Sequence, residues 1–122
     1  MAQSDNEACR KVLQQYIDGS HNGDADALRE IFFPEAVMSG YFQGQLSIGT
    51  PEPFFDFVEN TTSLAESGVS YKEEITSIEV VGEAASAVLK EEGFFGENYT
   101  DFFHLIKKDG KWKIISKTYA TE

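Results

Sequence analysis

The run from Tyr99 to Tyr119, YTDFFHLIKKDGKWKIISKTY, constrains the fold more than any other stretch of the chain. Two segments rich in aromatic and β-branched residues flank Asp109-Gly110, a pair suited to a two-residue type I′ turn. With that loop, Lys108 faces Lys111, Lys107 faces Trp112 and Leu105 faces Ile114. Side chains alternate along a strand, so the register sorts the hairpin into two faces. One carries Tyr99, Asp101, Phe103, Leu105, Trp112 and Ile114; it is expected to be a core face with one acid set into it. The other carries Phe102, His104, Ile106, Lys113, Ile115, Lys117 and Tyr119, and is expected to meet solvent or a partner.

Ahead of the hairpin the periodicity changes twice. Ser4-Asp5-Asn6-Glu7 is a capping box. Cys9, Val12, Leu13, Tyr16 and Ile17 then mark one face of a helix over 5–18, ended by Gly19. Asp24 caps a short second helix with Leu28, Ile31 and Phe32, stopped by Pro34. Ala36 to Phe42 reads as a strand, followed by an irregular glycine-containing stretch. Thr50-Pro51-Glu52 starts a third helix, whose inner face is expected to hold Phe54, Phe57, Val58 and Thr61 and which Glu66-Ser67-Gly68 closes. From Ser70 the period is two: Tyr71–Val81 and Ala84–Phe94 are strands joined at Gly82-Glu83, and Gly96-Glu97-Asn98 turns into the closing hairpin. Helices grouped early and strands late predict an α+β fold, with three N-terminal helices packed on a curved antiparallel sheet.

The length of 122 residues predicts one domain over 1–122 with enough core to need no staples. The net charge of −11 disfavours nucleic acid and anionic membranes, both of which require positive charge on the protein. The hairpin from Tyr99 onward carries five Lys against three acids, which fits either a contact for another subunit's acidic surface or a solvated strand edge guarded by Lys. The single cysteine, Cys9, excludes an internal disulfide and lies on the apolar stripe of the first helix, where a buried, inert thiol is expected. No signal-type or membrane-length apolar run is present, and a cytoplasmic location is the expectation. Asp24 and Asp26 lack the spacing of a calcium loop, and two distant His form no zinc motif; no metal and no cofactor is expected.

Several segments together resemble a known superfamily. Gly23-Asp24-Ala25-Asp26-Ala27-Leu28 and Phe33-Pro34-Glu35-Ala36 resemble the opening of nuclear-transport-factor-2-like proteins. Val80 to Ala87 resembles their central hairpin, and Leu105 to Ile114 their last. Within that superfamily the chain is similar to the putative lumazine-binding group, through Gly23-Asp24, Phe32 with Pro34 and Ala36, Asp101 and Lys117. The resemblance implies a cone-shaped, cystatin-like α+β fold, open at one end and dimerising through the outer face of its sheet. It implies no particular activity, because the superfamily includes ketosteroid isomerase, scytalone dehydratase, polyketide cyclases and non-catalytic members. Phe33 stands where related sequences often have His.

Asp101 is the sharpest candidate. A carboxylate inside the cone loses hydration and can serve as a general base; alternatively it pins structure through a backbone N–H or Tyr16. Tyr16, Tyr41, Phe54, Phe57, Phe103 and Trp112 complete an expected pocket for a small apolar or aromatic ligand. His104 lies three residues from Asp101, hence on the opposite face, and with Lys113 and Lys117 marks the side of a homodimer interface. The readings that follow are a ligand-binding domain, a cofactor-free isomerase, dehydratase or cyclase with Asp101 as base, or a purely structural domain with a filled interior.

Overall fold

In the computed structural model, which describes residues 4–121, helices pack on a curved six-stranded sheet of order β2-β1-β6-β5-β4-β3. The strands are β1 (Phe32–Phe42), β2 (Gln45–Gly49), β3 (Lys72–Val81), β4 (Ala84–Phe94), β5 (Glu97–Lys108) and β6 (Lys111–Thr121). Every pairing is antiparallel except β1 with β6, which is parallel.

α1 (Asp5–Asn22) starts at Ser4, whose Oγ accepts from the Glu7 N–H at 3.1 Å. It runs one turn beyond the predicted stop. Gly19 is buried inside the helix with Leu28 packed against it, and Gly23 is the left-handed C-cap. Cys9, Leu13, Tyr16 and Ile17 face the sheet. α2 (Ala25–Glu30) is capped by Asp24, which accepts from the Ala27 N–H. Phe32 belongs to β1, which starts earlier than predicted and absorbs Pro34 in an irregular stretch before Val37.

α3 (Glu52–Asn60) buries the predicted Val58 and adds Phe55, which the periodicity did not place inside. Phe55 and Val58 are buried, while Phe54 and Phe57 share the adjacent face and Phe57 is 43% exposed. The helix stops at Asn60, and a separate turn, α4 (Leu64–Ser67), follows with Ser63 as its cap. β2, read from the sequence as irregular, pairs with β1 through all of its exposed residues.

The closing hairpin turns at Asp109-Gly110, whose φ values of 52° and 78° fit the expected turn. The strand before it begins at Glu97, so that earlier turn is Phe95-Gly96 rather than Gly96 to Asn98. Pairing follows the expected register from Lys108–Lys111 to Leu105–Ile114. There it breaks: His104 pairs with Ser116, leaving Ile115 as one extra residue on β6. Beyond that bulge each β6 side chain changes face. Lys117 and Tyr119, expected outside, pair with Phe103 and Asp101 on the inner side, and Lys117 is 5% exposed.

The core joins α1, α2 and α3 to Ala85, Ala87, Leu89, Phe103, Leu105, Trp112 and Ile114. Among the described residues no helix is long and apolar enough to cross a membrane.

Candidate functional site

A cavity of about 1010 Å³ opens at the end of the sheet where β1 and β6 finish and β5 begins. Its aromatic walls come mainly from five elements. β1 supplies Met38, Tyr41 and Phe42, α3 supplies Phe54 and Phe57, the end of β4 supplies Phe94 with Phe95 following it, and the open ends of β5 and β6 supply Tyr99 and Tyr119. The rings touch one another: Phe57 meets Phe95 edge-on at 4.9 Å between centroids, and Phe95 meets Phe94 at 4.8 Å. Phe95 holds a left-handed φ of 49°, an unfavourable conformation for a bulky residue. The contacts with Phe57 and Phe94 oppose its relaxation.

Three ionisable side chains reach the cavity from inside the sheet: Glu91, Asp101 and Lys117. All are buried, at 2%, 1% and 5% exposure. Lys117 Nζ lies 3.9 Å from Asp101 Oδ2 and donates a hydrogen bond to the Tyr16 hydroxyl. Tyr16 Oη in turn donates to Asp101 Oδ2 at 3.5 Å. The Lys117 ammonium also sits over aromatic faces, 4.4 Å from the Phe54 centroid and 4.9 Å from that of Tyr16. Such contacts replace part of the hydration that burial removes.

Glu91 stands on β4 beside Asp101 on β5, on the same face of the sheet. The Tyr71 hydroxyl donates to Glu91 Oε2. Burial and the neighbouring Asp101 carboxylate together push the Glu91 carboxyl well above the ordinary range. Lys117 and Tyr71 pull the other way and are outweighed. A Glu91 that keeps its proton can donate it. Asp101 Oδ1 is buried with no hydrogen-bond partner among the described residues, and is the acceptor such a donor requires. Burial, with Glu91 and Asp101 nearby, raises the Tyr16 hydroxyl above its normal value, so it remains a donor.

The chemistry available is therefore an aromatic chamber ending in the Lys117 amine, two neighbouring buried carboxyl groups, and a phenol hydrogen-bonded to both Lys117 and Asp101.

The sequence-predicted residues divide between this chamber and the core. Tyr41, Phe54, Phe57 and Asp101 line the cavity. Tyr16 is fully buried behind it and reaches it through its hydroxyl bonds to Lys117 and Asp101. Phe103 and Trp112 were expected in the wall and are instead core. Phe103 packs its ring against Tyr16 at 5.0 Å. Trp112 lies at the opposite end of β6, under the start of α1, where its indole N–H donates to Asp5 Oδ1 at 3.1 Å. Lys117, expected on the outer interface side, is carried inside by the Ile115 bulge. His104 and Lys113 remain on the outer side of the sheet, where His104 Nδ1 pairs with the Ser116 hydroxyl at 3.2 Å. Glu91 was not anticipated.

Residues 4–120 match the model of the family described as "Putative lumazine-binding". The chain belongs to that family. Asp101 and Lys117, two of the residues through which the sequence resembles this group, are the two charges that meet at the cavity base. The putative lumazine-binding chain is 32% identical to an NTF2-like protein of unknown function from Shewanella baltica, with a TM-score of 0.86 over 95% of this chain and 92% of that one. A second NTF2-like protein of unknown function, from Methylobacillus flagellatus, shares the fold at a TM-score of 0.89 and 24% identity, covering 100% of this chain and 95% of that one. Among curated proteins, Aldolase FrzH from Cladobotryum sp is 28% identical over 107 residues, spanning 85% of this chain and 81% of its own length.

Among the described residues no cluster of three or more His, Cys, Asp or Glu could hold a metal ion. Burial pushes the Cys9 thiol up to about 11, which leaves it protonated and unreactive at neutral pH.

Proposed function

We infer that this domain binds one small, largely apolar or aromatic molecule, with a polar group of that molecule at the cavity base. A single observation carries the reading: a ring-lined chamber of about 1010 Å³ ends in the buried Asp101–Lys117–Tyr16–Glu91 cluster. Pockets that combine apolar walls with a few convergent polar groups suit a drug-sized ligand. A filled structural cone would have no such space. The test is calorimetry with 2-naphthoic acid, 2-naphthalenemethanol and naphthalene. Tighter binding of the two polar compounds is expected; equal affinity for all three would contradict a polar anchoring point.

A second reading has its own support. Asp101 would act as general base in a cofactor-free proton transfer, of the kind an isomerase, dehydratase, cyclase or aldol reaction needs. The proton-bearing Glu91 and Tyr16 would steady the negative charge that develops on the substrate oxygen. The similarity to Aldolase FrzH favours a carbonyl substrate. Deuterium exchange at the α-carbon of a panel of ketones, lost in Asp101→Asn, tests it.

The domain is read as one unit over 1–122 that acts in the cytoplasm as a homodimer. The outer sheet face is the proposed interface, with Val37, Phe102 and Ile106 exposed beside His104 and Lys113. Light scattering at several concentrations tests this; a persistent 13.6 kDa species contradicts it.

A further inference from the structure

We propose that Lys117 is a nucleophile whose ε-amine forms an imine with an aldehyde or ketone held in the cavity. The proposal rests on the reading that the cavity takes a small molecule.

Three features support it. Lys117 lines the cavity, yet its side chain is only 6% exposed, so a carbonyl that enters meets the amine away from bulk water. The amine is held in place. Tyr16 fixes Nζ by a hydrogen bond, and the Phe54 ring lies 4.4 Å from it. The ammonium proton also has an exit. Tyr16 Oη accepts from Nζ and donates to Asp101 Oδ2, so one proton moving along each bond leaves a neutral amine and a carboxylic acid. An amine must lose its charge before it can attack, and here a single hydroxyl connects it to the group that takes the proton. Lys107, by contrast, is tied to Asp5 at 3.0 Å, at the other end of the hairpin.

The step balances. The Nζ lone pair forms a bond to the carbonyl carbon, and the C=O π pair moves to oxygen. That oxygen takes the proton parked on Asp101, and the nitrogen gives one back to Asp101 through Tyr16. A second proton from the carboxyl pair lets water leave with the C–O electrons as nitrogen forms C=N. Overall, one ammonium and one carbonyl compound give one protonated imine and one water, with no change of oxidation state. The carboxyl that supplied the second proton is left as the base for the α-hydrogen.

The experiment traps the imine. The intact protein is incubated near neutral pH with 2-naphthaldehyde and sodium cyanoborohydride, and the adducts are located by peptide mass mapping. Lys117 should be labelled about tenfold faster than any surface lysine, and Tyr16→Phe should slow that labelling about tenfold while surface labelling is unchanged. Label confined to surface lysines, or a Tyr16→Phe rate equal to that of the parent, overturns the proposal. Binding of the unreactive 2-naphthalenemethanol is measured alongside. If the alcohol binds and Lys117 stays unlabelled, the imine falls and the binding reading stands; if the alcohol also fails to bind, both fall.

Discussion

Phe103 and Lys117 stand directly across from each other in the closing hairpin, although regular pairing from the turn would have put Phe102 opposite Lys117. One inserted residue, Ile115, makes the difference, and it puts a cation beside Asp101 in the interior. Removing one partner of such a buried pair leaves the other charge without compensation. Lys117→Met should therefore cost about 3–5 kcal/mol in urea denaturation. Adding Asp101→Asn to that variant should restore part of the loss, because the stranded charge is then gone.

Glu91 predicts how stability depends on pH. Its carboxyl is raised in the folded state well above the ordinary glutamate value of about 4.5, so between that value and its folded-state value the native protein holds a proton that the unfolded chain has released. Its favourable contribution is complete at acid pH below that window and declines as pH rises through it. The slope can reach about 1.4 kcal/mol per pH unit. Glu91→Gln keeps a neutral donor and should flatten this part of the profile, measured as urea midpoints from pH 5 to pH 8.

Asp101→Asn separates binding from turnover. The variant should bind 2-naphthalenemethanol within about threefold of the parent, while any α-proton exchange falls by roughly 10²-fold or more. Exchange that survives the substitution would remove Asp101 as the base.

Gly40 marks where β1 passes against Tyr119. A Cβ built there would lie 2.5 Å from the Tyr119 carbonyl oxygen and 2.6 Å from its ring. Gly40→Ala should cost about 1–3 kcal/mol through displaced backbone and push the Tyr119 ring, a cavity wall, out of place. The readouts are the melting midpoint and the affinity for 2-naphthoic acid.

Phe102 is 49% exposed on the outer face. If that face joins two copies, Phe102→Glu should weaken self-association by about tenfold or more, since a charge then replaces an apolar contact. Sedimentation across a concentration series reads this, and circular dichroism should show no loss of folded structure.

Much of the fold was legible because local chemistry and overall pattern agree. Asp109-Gly110 demands its turn, Val81 and Ala84 bracket a two-residue loop, and the capping box at Ser4 to Glu7 starts α1. The site was harder to read. Alternation along β4 already puts Glu91 on the face of Ala85, Ala87 and Leu89, but its place in the run Lys90-Glu91-Glu92 resembles a solvated edge. Lys117 was hidden by a bulge that no glycine announces; only the adjacent Ile114 and Ile115 interrupt the alternation. α4 has its own signal in Ser63 and Glu66, another cap three residues from an acid, but it follows α3 so closely that the two merge when only their common stop at Gly68 is considered. β2 is exposed throughout, so it has no burial pattern to detect.

β6 lies between β1 and β5 and is also the strand of highest residue number. Until it joins, β1 and β5 have no strand between them, and each has an unsatisfied edge where the missing strand belongs. The same late strand carries the lysine of the cavity base. No nascent intermediate can therefore hold a finished chamber, and assembly of the sheet and arrival of the chemistry are one event.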